Sequence, residues 1–247
     1  MENVQNALVN NTTSSELFSF KGASVKDALE AEGYKFKVNN TRGRGIGTIA
    51  AQTFATPGVD GVRYIGRNAP EREIEVDYTL ECKDLVALRE AEKKMFAVLN
   101  SNEPEELRFE DQDGYFNAVL TDSSVSLETH RVQQGTLIFL CPEPFLYGED
   151  VETTARNDWR TNYHVHPLIE ISPTGDTVII SASGRSLTIE NASGGNITID
   201  FAKKEVKQGE VLKVLDLYGR FPIITEESML NTSGADIVKI TYKARWL

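Results

Sequence analysis

Arg72-Glu73-Ile74-Glu75-Val76-Asp77-Tyr78-Thr79-Leu80-Glu81 (REIEVDYTLE, residues 72–81) alternates almost without interruption. Successive side chains of a strand point to opposite faces, so Ile74, Val76, Tyr78 and Leu80 share one side. Glu73, Glu75, Asp77 and Glu81 share the other. The pattern predicts a strand with one buried and one wetted face, and so a sheet that needs a cover on one side. That cover follows at once in DLVALREAEKKMFAVLN, residues 84–100. Asp84 is a good N-cap, and Leu85, Leu88, Ala91, Met95 and Leu99 recur every three or four residues in an apolar stripe widened by Phe96. Glu90 and Lys94 stand at the favourable i, i+4 spacing on the outer face, and Asn100-Ser101-Asn102 followed by Pro104 ends the helix.

Outward from this pair, strand patterns continue in YKFKV (34–38), IGTIAAQTFA (46–55), LRFE (107–110), YFNAVLT (115–121) and TLIFLC (136–141). Asp111-Gln112-Asp113-Gly114 lies between two of them, and its Asp-Gly predicts a hairpin turn. Its ligand spacing is not that of a calcium loop. After Pro142, Pro144 and Gly148 the style changes to short strands broken by SPTGD, SASGR and NASGGN at about ten-residue spacing. The runs HPLIEIS, TVIISA, SLTIEN, NITIDF, EVLKVLDLYG and DIVKITYKARWL predict a second, all-β sandwich of about 100 residues. The fold class is therefore mainly β: an N-terminal β-sandwich with one packed α-helix over residues 1–145 and a C-terminal β-sandwich over 146–247.

With 40% apolar and 26% charged residues among 247, the chain has the composition of a folded protein. No window holds 18 consecutive apolar residues, so no membrane insertion is expected. The start, MENVQNALVNNTTSSELF, lacks a basic and an apolar region and reads as a polar arm at 1–15. The net charge is −11, of which residues 1–147 carry −8 and the remainder −3. That balance argues against a nucleic-acid-binding surface and favours cationic partners. Cys82 and Cys141 fit neither a disulfide framework nor a metal motif and read as small buried apolar groups.

Same-face neighbours on a strand stand roughly 6.6–7 Å apart, a spacing that also separates the acid and base of an inverting glycosidase. Residues 72–81 nevertheless interleave no His, Trp or Asn with the acids, and a solvated acid face is the ordinary outcome for a half-buried sheet. A charged contact with a neighbouring subunit is the functional alternative, drawing on Arg63, Arg67, Arg72, Glu73, Glu75 and Asp77. Thr41-Arg42-Gly43-Arg44-Gly45-Ile46-Gly47 is basic and glycine-rich but matches neither phosphate-binding fingerprint, and it reads as a flexible loop. His164-Val165-His166 with Glu170 lacks a third strong ligand. No cofactor, metal or nucleophilic constellation is indicated, so the chain is read as a non-enzyme.

The order of features resembles a family. Phe20-Lys21-Gly22, then Gly58-Val59-Asp60-Gly61, then Arg72 through Leu80, the amphipathic helix, a hairpin and Pro142 to Tyr147 together look like the distal tail proteins of siphophages infecting Gram-positive bacteria. The resemblance implies a first domain that forms a ring homo-oligomer, typically a hexamer, and a second that is galectin-like and projects outward. It implies a structural virion protein at the distal end of the tail, assembled in the host cytoplasm. The ring would join the tail tube protein to tail-tip, baseplate or tail-associated fibre or lysin proteins, with DNA passing through its lumen and no specific nucleic-acid binding. The competing reading is a carbohydrate-binding module or adhesin acting through the C-terminal sandwich, with Trp159, Tyr163, Tyr218 and Trp246 as glycan contacts. His164-Val165-His166-Pro167 does not match the His-x-Asn-Pro-Arg strand of galectins, so a retained sandwich with a lost lectin site is expected.

Overall fold

Strands dominate residues 17–247, which the computed structural model describes; the polar arm expected at 1–15 lies outside the described residues. The chain divides into two units, one ending at Leu146 and one running from Tyr147 to Trp246. The first contains β1 (Phe18–Phe20), β2 (Ala23–Ser24), α1 (Val25–Glu30), β3 (Lys35–Arg42), β4 (Ala50–Phe54), β5 (Arg63–Asn68), β6 (Arg72–Glu81), α2 (Leu85–Leu99), β7 (Glu105–Phe109), β8 (Phe116–Glu128) and β9 (Val132–Cys141). Seven of these strands make one sheet in the order β2-β1-β7-β8-β9-β6-β3, while among the described residues β4 and β5 pair only with each other.

The sheet closes over its own core. In a flat sheet β1 and β3, five strand steps apart, would lie about 24 Å from each other. Yet the rings of Phe18 and Phe36, one from each, are 6.4 Å apart, and Phe18 meets Phe139 of β9 at 5.8 Å. The two halves therefore face each other as layers, with Ile74, Val76, Tyr78 and Leu80 of β6 buried between them. Each such fully buried apolar side chain contributes about 1.5–3 kcal/mol.

Asp84 caps α2 as its sequence predicts, accepting from the Ala87 amide at 2.8 Å. The buried face is Ala87, Leu88, Ala91, Met95 and Leu99. Leu85 and Phe96 are exposed, because at 100° per residue they lie about 120° and 140° around the helix from Ala91. Lys94 pairs with Glu32 rather than with Glu90, whose carboxylate receives the Tyr34 hydroxyl at 3.4 Å. A second helix, α1, joins the one expected; Ser24 caps it, and Val25 and Leu29 reach the core.

The second unit contains β10 (Leu146–Thr153), β11 (His164–Val165), β12 (Leu168–Pro173), β13 (Val178–Ala182), β14 (Arg185–Ile189), β15 (Ile197–Asp200), β16 (Glu205–Gln208), β17 (Val211–Leu212), β18 (Leu217–Gly219), β19 (Ile224–Thr225), β20 (Asn231–Ser233) and β21 (Ala235–Trp246). A six-stranded sheet, β10-β21-β12-β15-β16-β17, faces a four-stranded one, β18-β14-β13-β20, across a shared core that includes Ile169, Ile180, Leu187, Ile199 and Ile240. The expected strand EVLKVLDLYG is instead two short ones, β17 and β18, because Lys213 turns back to pair with Asp216 at 3.5 Å. Ser183 and Gly184, both left-handed at φ 50° and 72°, make the two-residue turn of the β13–β14 hairpin.

Candidate functional site

The carboxylate row of β6 has a cation facing it, and it comes from β3. Arg42 donates from Nε to Glu75 at 2.9 Å and from Nη1 to Asp77 at 2.5 Å. Asp77 also accepts from the Thr136 hydroxyl at 2.6 Å. Partial burial pushes the Asp77 carboxyl up. Hydrogen bonds from Arg42, Thr136 and Asn40 and the Arg42 charge outweigh it, holding the group below the usual carboxylate range. A glycosidase acid needs the opposite displacement. The row is an ion-paired sheet face, with Glu73 and Glu81 at its exposed ends.

The stretch expected to be a flexible loop is tied down. Arg42 belongs to β3, and Arg44 makes a bidentate pair with Asp111 at 2.6 and 3.1 Å while lying 4.4 Å over the Phe109 ring. Gly43 between them has φ 86°, and a Cβ there would collide with the Glu73 carbonyl oxygen. These two arginines are the site residues that sequence reasoning missed.

The other candidates part company. Arg72 shares the inward face with Ile74 rather than the acid face, and only 8% of it is exposed. Its guanidinium donates to the Gly45 carbonyl at 3.0 Å and lies 5.2 Å over Phe116, while its Nη2 has no hydrogen-bond partner. Burial lowers its pKa. Arg63 and Arg67 stand on β5, where Arg63 faces Phe54 and Arg67 faces Ala51 across the hairpin. That hairpin is exposed on both faces and apolar: Phe54 is 56%, Tyr64 64% and Ile65 67% exposed, with Val59 and Val62 also open at its tip.

The four aromatic candidates form no platform. Trp159 is 4% exposed; its indole donates to the Ser228 carbonyl at 2.8 Å and packs 5.3 Å from Tyr242. A core tryptophan offers no face to a sugar. Tyr218 is exposed on β18 of one sheet, and Trp246 is half-buried at the end of β21 in the other, packed over Gly148. Tyr163 stacks on His164 at 4.1 Å. Burial, then Arg245 and His166, push the His164 imidazole down to about 4. Among the described residues no group of His, Cys, Asp and Glu has metal-binding geometry.

Comparison with known proteins agrees with this architecture. Residues 31–141 match the model of the phage tail protein RIFT-related domain. No curated protein sequence matches the chain. Among solved structures it resembles SPP1 Dit (gp 19.1), described as a paradigm of the hub adsorption apparatus in phages infecting Gram-positive bacteria. The TM-score is 0.68 at 18% identity, over 94% of this chain and 99% of that one. Weaker likenesses are to the phage p2 baseplate in its activated conformation with calcium and with strontium. They have TM-scores of 0.41 and 0.40 at 10% and 11% identity, over 86% and 85% of this chain and 90% of each of those. Residues 31–141 thus resemble a phage tail protein RIFT-related domain, and the chain has the fold of SPP1 Dit.

Proposed function

We propose that the chain is a structural subunit at the distal end of a phage tail, closing with copies of itself into a ring. The ring, of six copies in the form the family resemblance implies, joins the tail tube to tail-tip or baseplate proteins and leaves a lumen for DNA. The role is structural rather than catalytic, and the subunits assemble in the host cytoplasm. One observation carries the subunit contact: the β4–β5 hairpin is a two-stranded ribbon with Phe54, Tyr64 and Ile65 open to solvent. A lone two-stranded hairpin is marginal in water, so this one gains its order from a neighbour. Arg63 and Arg67 give it a cationic edge suited to the acid-rich first unit of the next copy, where Glu73 and Glu81 remain exposed.

Light scattering with negative-stain imaging of the same chromatographic peak tests the reading. Rings several times the 27.5 kDa monomer are expected. Tyr64→Ser with Ile65→Ser should release monomers whose urea midpoint is unchanged. A ring that persists in this variant would remove the hairpin from the contact. A monomer at every concentration, alone and with tail-tube protein added, would overturn the ring.

A further inference from the structure

The second unit holds a cleft of about 490 Å³ with a cationic rim, within the size range of small-ligand sites. Arg185, Lys204 and Arg220 line it together with Phe201, Phe221 and His164, and no carboxylate does. Turns from both sheets build it. Arg185 opens β14 directly after the Ser183-Gly184 turn, and Lys204 closes the turn between β15 and β16. Arg220 follows β18 with its amide anchored on the Ser186 carbonyl at 2.8 Å. Beneath them the rings of Phe201 and Phe221 meet edge to face at 5.6 Å.

Three features separate this cleft from an ordinary wet surface. The second unit contains six lysines, Lys203, Lys204, Lys207, Lys213, Lys239 and Lys243. All except Lys204 are in ion pairs with carboxylates. Neither Arg185 nor Arg220 has a carboxylate partner among the described residues, so three full charges converge uncompensated on an acidic protein. Lys204 is also held at φ 58°, a left-handed conformation that costs a lysine free energy and tends to persist where position matters. Finally, the floor is aromatic, so the cleft offers an apolar face beside its charges.

We propose that this cleft binds a phosphate ester carried on a body with an apolar face, such as a sugar or an aryl ring. Two guanidiniums and an ammonium supply charge-assisted hydrogen bonds to the phosphate oxygens. Phe221, half-buried at the floor and backed edge to face by the core ring of Phe201, receives the ring or the CH face of the body. The His164 imidazole is neutral above about pH 4, so it adds a hydrogen-bonding group rather than a fourth charge.

Isothermal titration of the full chain with inorganic phosphate, phenyl phosphate, glucose 1-phosphate and glucose tests the proposal. One of the two esters should bind saturably and at least about tenfold more tightly than either inorganic phosphate or glucose; which ester wins identifies the body as aryl or sugar. Arg220→Gln and Lys204→Gln should each weaken that ester by about tenfold or more, the loss expected for one charge-assisted hydrogen bond. Lys203→Gln, which removes a lysine paired to Asp200, should leave it unchanged. Lys204→Gly should lose binding while unfolding no more easily than the parent, which separates ligand contact from folding. The absence of saturable ester binding would overturn the site. So would an ester no tighter than inorganic phosphate or glucose, or equal losses in the Lys203 and Lys204 variants.

Discussion

Arg42 lies directly opposite Glu75 across β3 and β6, and a single extra residue puts it there. From Lys35↔Glu81 to Val38↔Tyr78 the two strands run in one register; from Asn40↔Asp77 onward they run in another, with Asn39 as the bulge. Continued in the first register, Arg42 would face Ile74 and the core. Because directly paired residues share a face, the bulge turns the guanidinium outward onto the carboxylates. Asn39 itself is held by its amide donating to the Thr79 hydroxyl at 2.8 Å.

The acid dependence of the first unit follows from this pairing. Asp77 is held below its unfolded value, near 3.9, so its contribution is fully present above roughly pH 5. It is lost as pH falls through the depressed folded value, where the carboxyl takes up its proton. Asp77→Asn should therefore lower the urea midpoint at pH 7, with the gap to wild type closing by pH 2–3. Deleting Asn39 should cost more than Arg42→Ala at pH 7, because it turns the cation toward the core. A gap of constant size across pH would show that the carboxylate charge is not what Arg42 stabilises.

Gly43 allows β3 to end tightly against β6. At φ 86°, with the Glu73 carbonyl where a Cβ would go, Gly43→Ala should cost roughly 2 kcal/mol or more in a denaturant titration. Gly45, two residues on, has open space around its missing Cβ and no left-handed φ, so Gly45→Ala should fall within about 0.5 kcal/mol of wild type. Equal costs at both positions would point to loop entropy rather than collision.

Where one face of an element is buried, the sequence patterns and the fold agree. β6, β9 and α2 each bury the residues that a period of two or 3.6 selects, Phe96 and Leu85 apart. Where neither face is buried there is no pattern to read. Hence β5 and the distal half of β8, exposed from Ser123 to Glu128, lay beyond periodicity. Arg72 was legible, since even-numbered positions of 72–81 point inward, but its charge argued for the wet side. Arg42 was not legible, because a bulge leaves no mark in an alternation of polar residues. Trp159 sits in DWRTNYHV, which has no period to assign it a face.

The buried Arg72 charge leads to a pair of linked measurements. Its guanidinium carries one unsatisfied nitrogen and no carboxylate partner among the described residues, so Arg72→Met should be neutral or stabilising, within about 1 kcal/mol of wild type or above it. Arg72→Ala should cost roughly 2 kcal/mol through the cavity left against Phe116. Burial pushes the nearby Cys141 thiol up to about 12, with Arg72 pulling the other way. Iodoacetamide at pH 8 should therefore modify Cys141 no faster than the protein unfolds, in wild type and in Arg72→Met alike. Rapid labelling of the native protein would place the thiol outside the core.

Trp159 separates packing from recognition in the second unit. Trp159→Ala removes a buried ring and its hydrogen bond to Ser228, so the unit should lose about 3–5 kcal/mol whether or not any sugar is present. Tyr218→Ala, at an exposed position on β18, should change stability by less than about 0.5 kcal/mol. Loss of glycan binding in a Trp159→Phe variant that melts like the parent would restore this residue to a ligand site.

His164 gives the second unit a pH response of its own. Burial, Arg245 and His166 lower its folded pKa to about 4, against roughly 6.5 in the unfolded chain. Between those values the unfolded state binds the additional proton, so stability falls as pH drops from about 6.5 toward 4 and levels off below it. His164→Phe keeps a ring to stack on Tyr163 but cannot titrate. Its urea midpoint should change less between pH 6.5 and 5 than that of wild type, a window in which most carboxylates are still ionised. The wild-type imidazole CH resonance, followed by NMR, should titrate with a midpoint near 4. A midpoint near 6.5, together with parallel stability curves for the two proteins, would mean that the His164 ring is solvated rather than held neutral against Arg245.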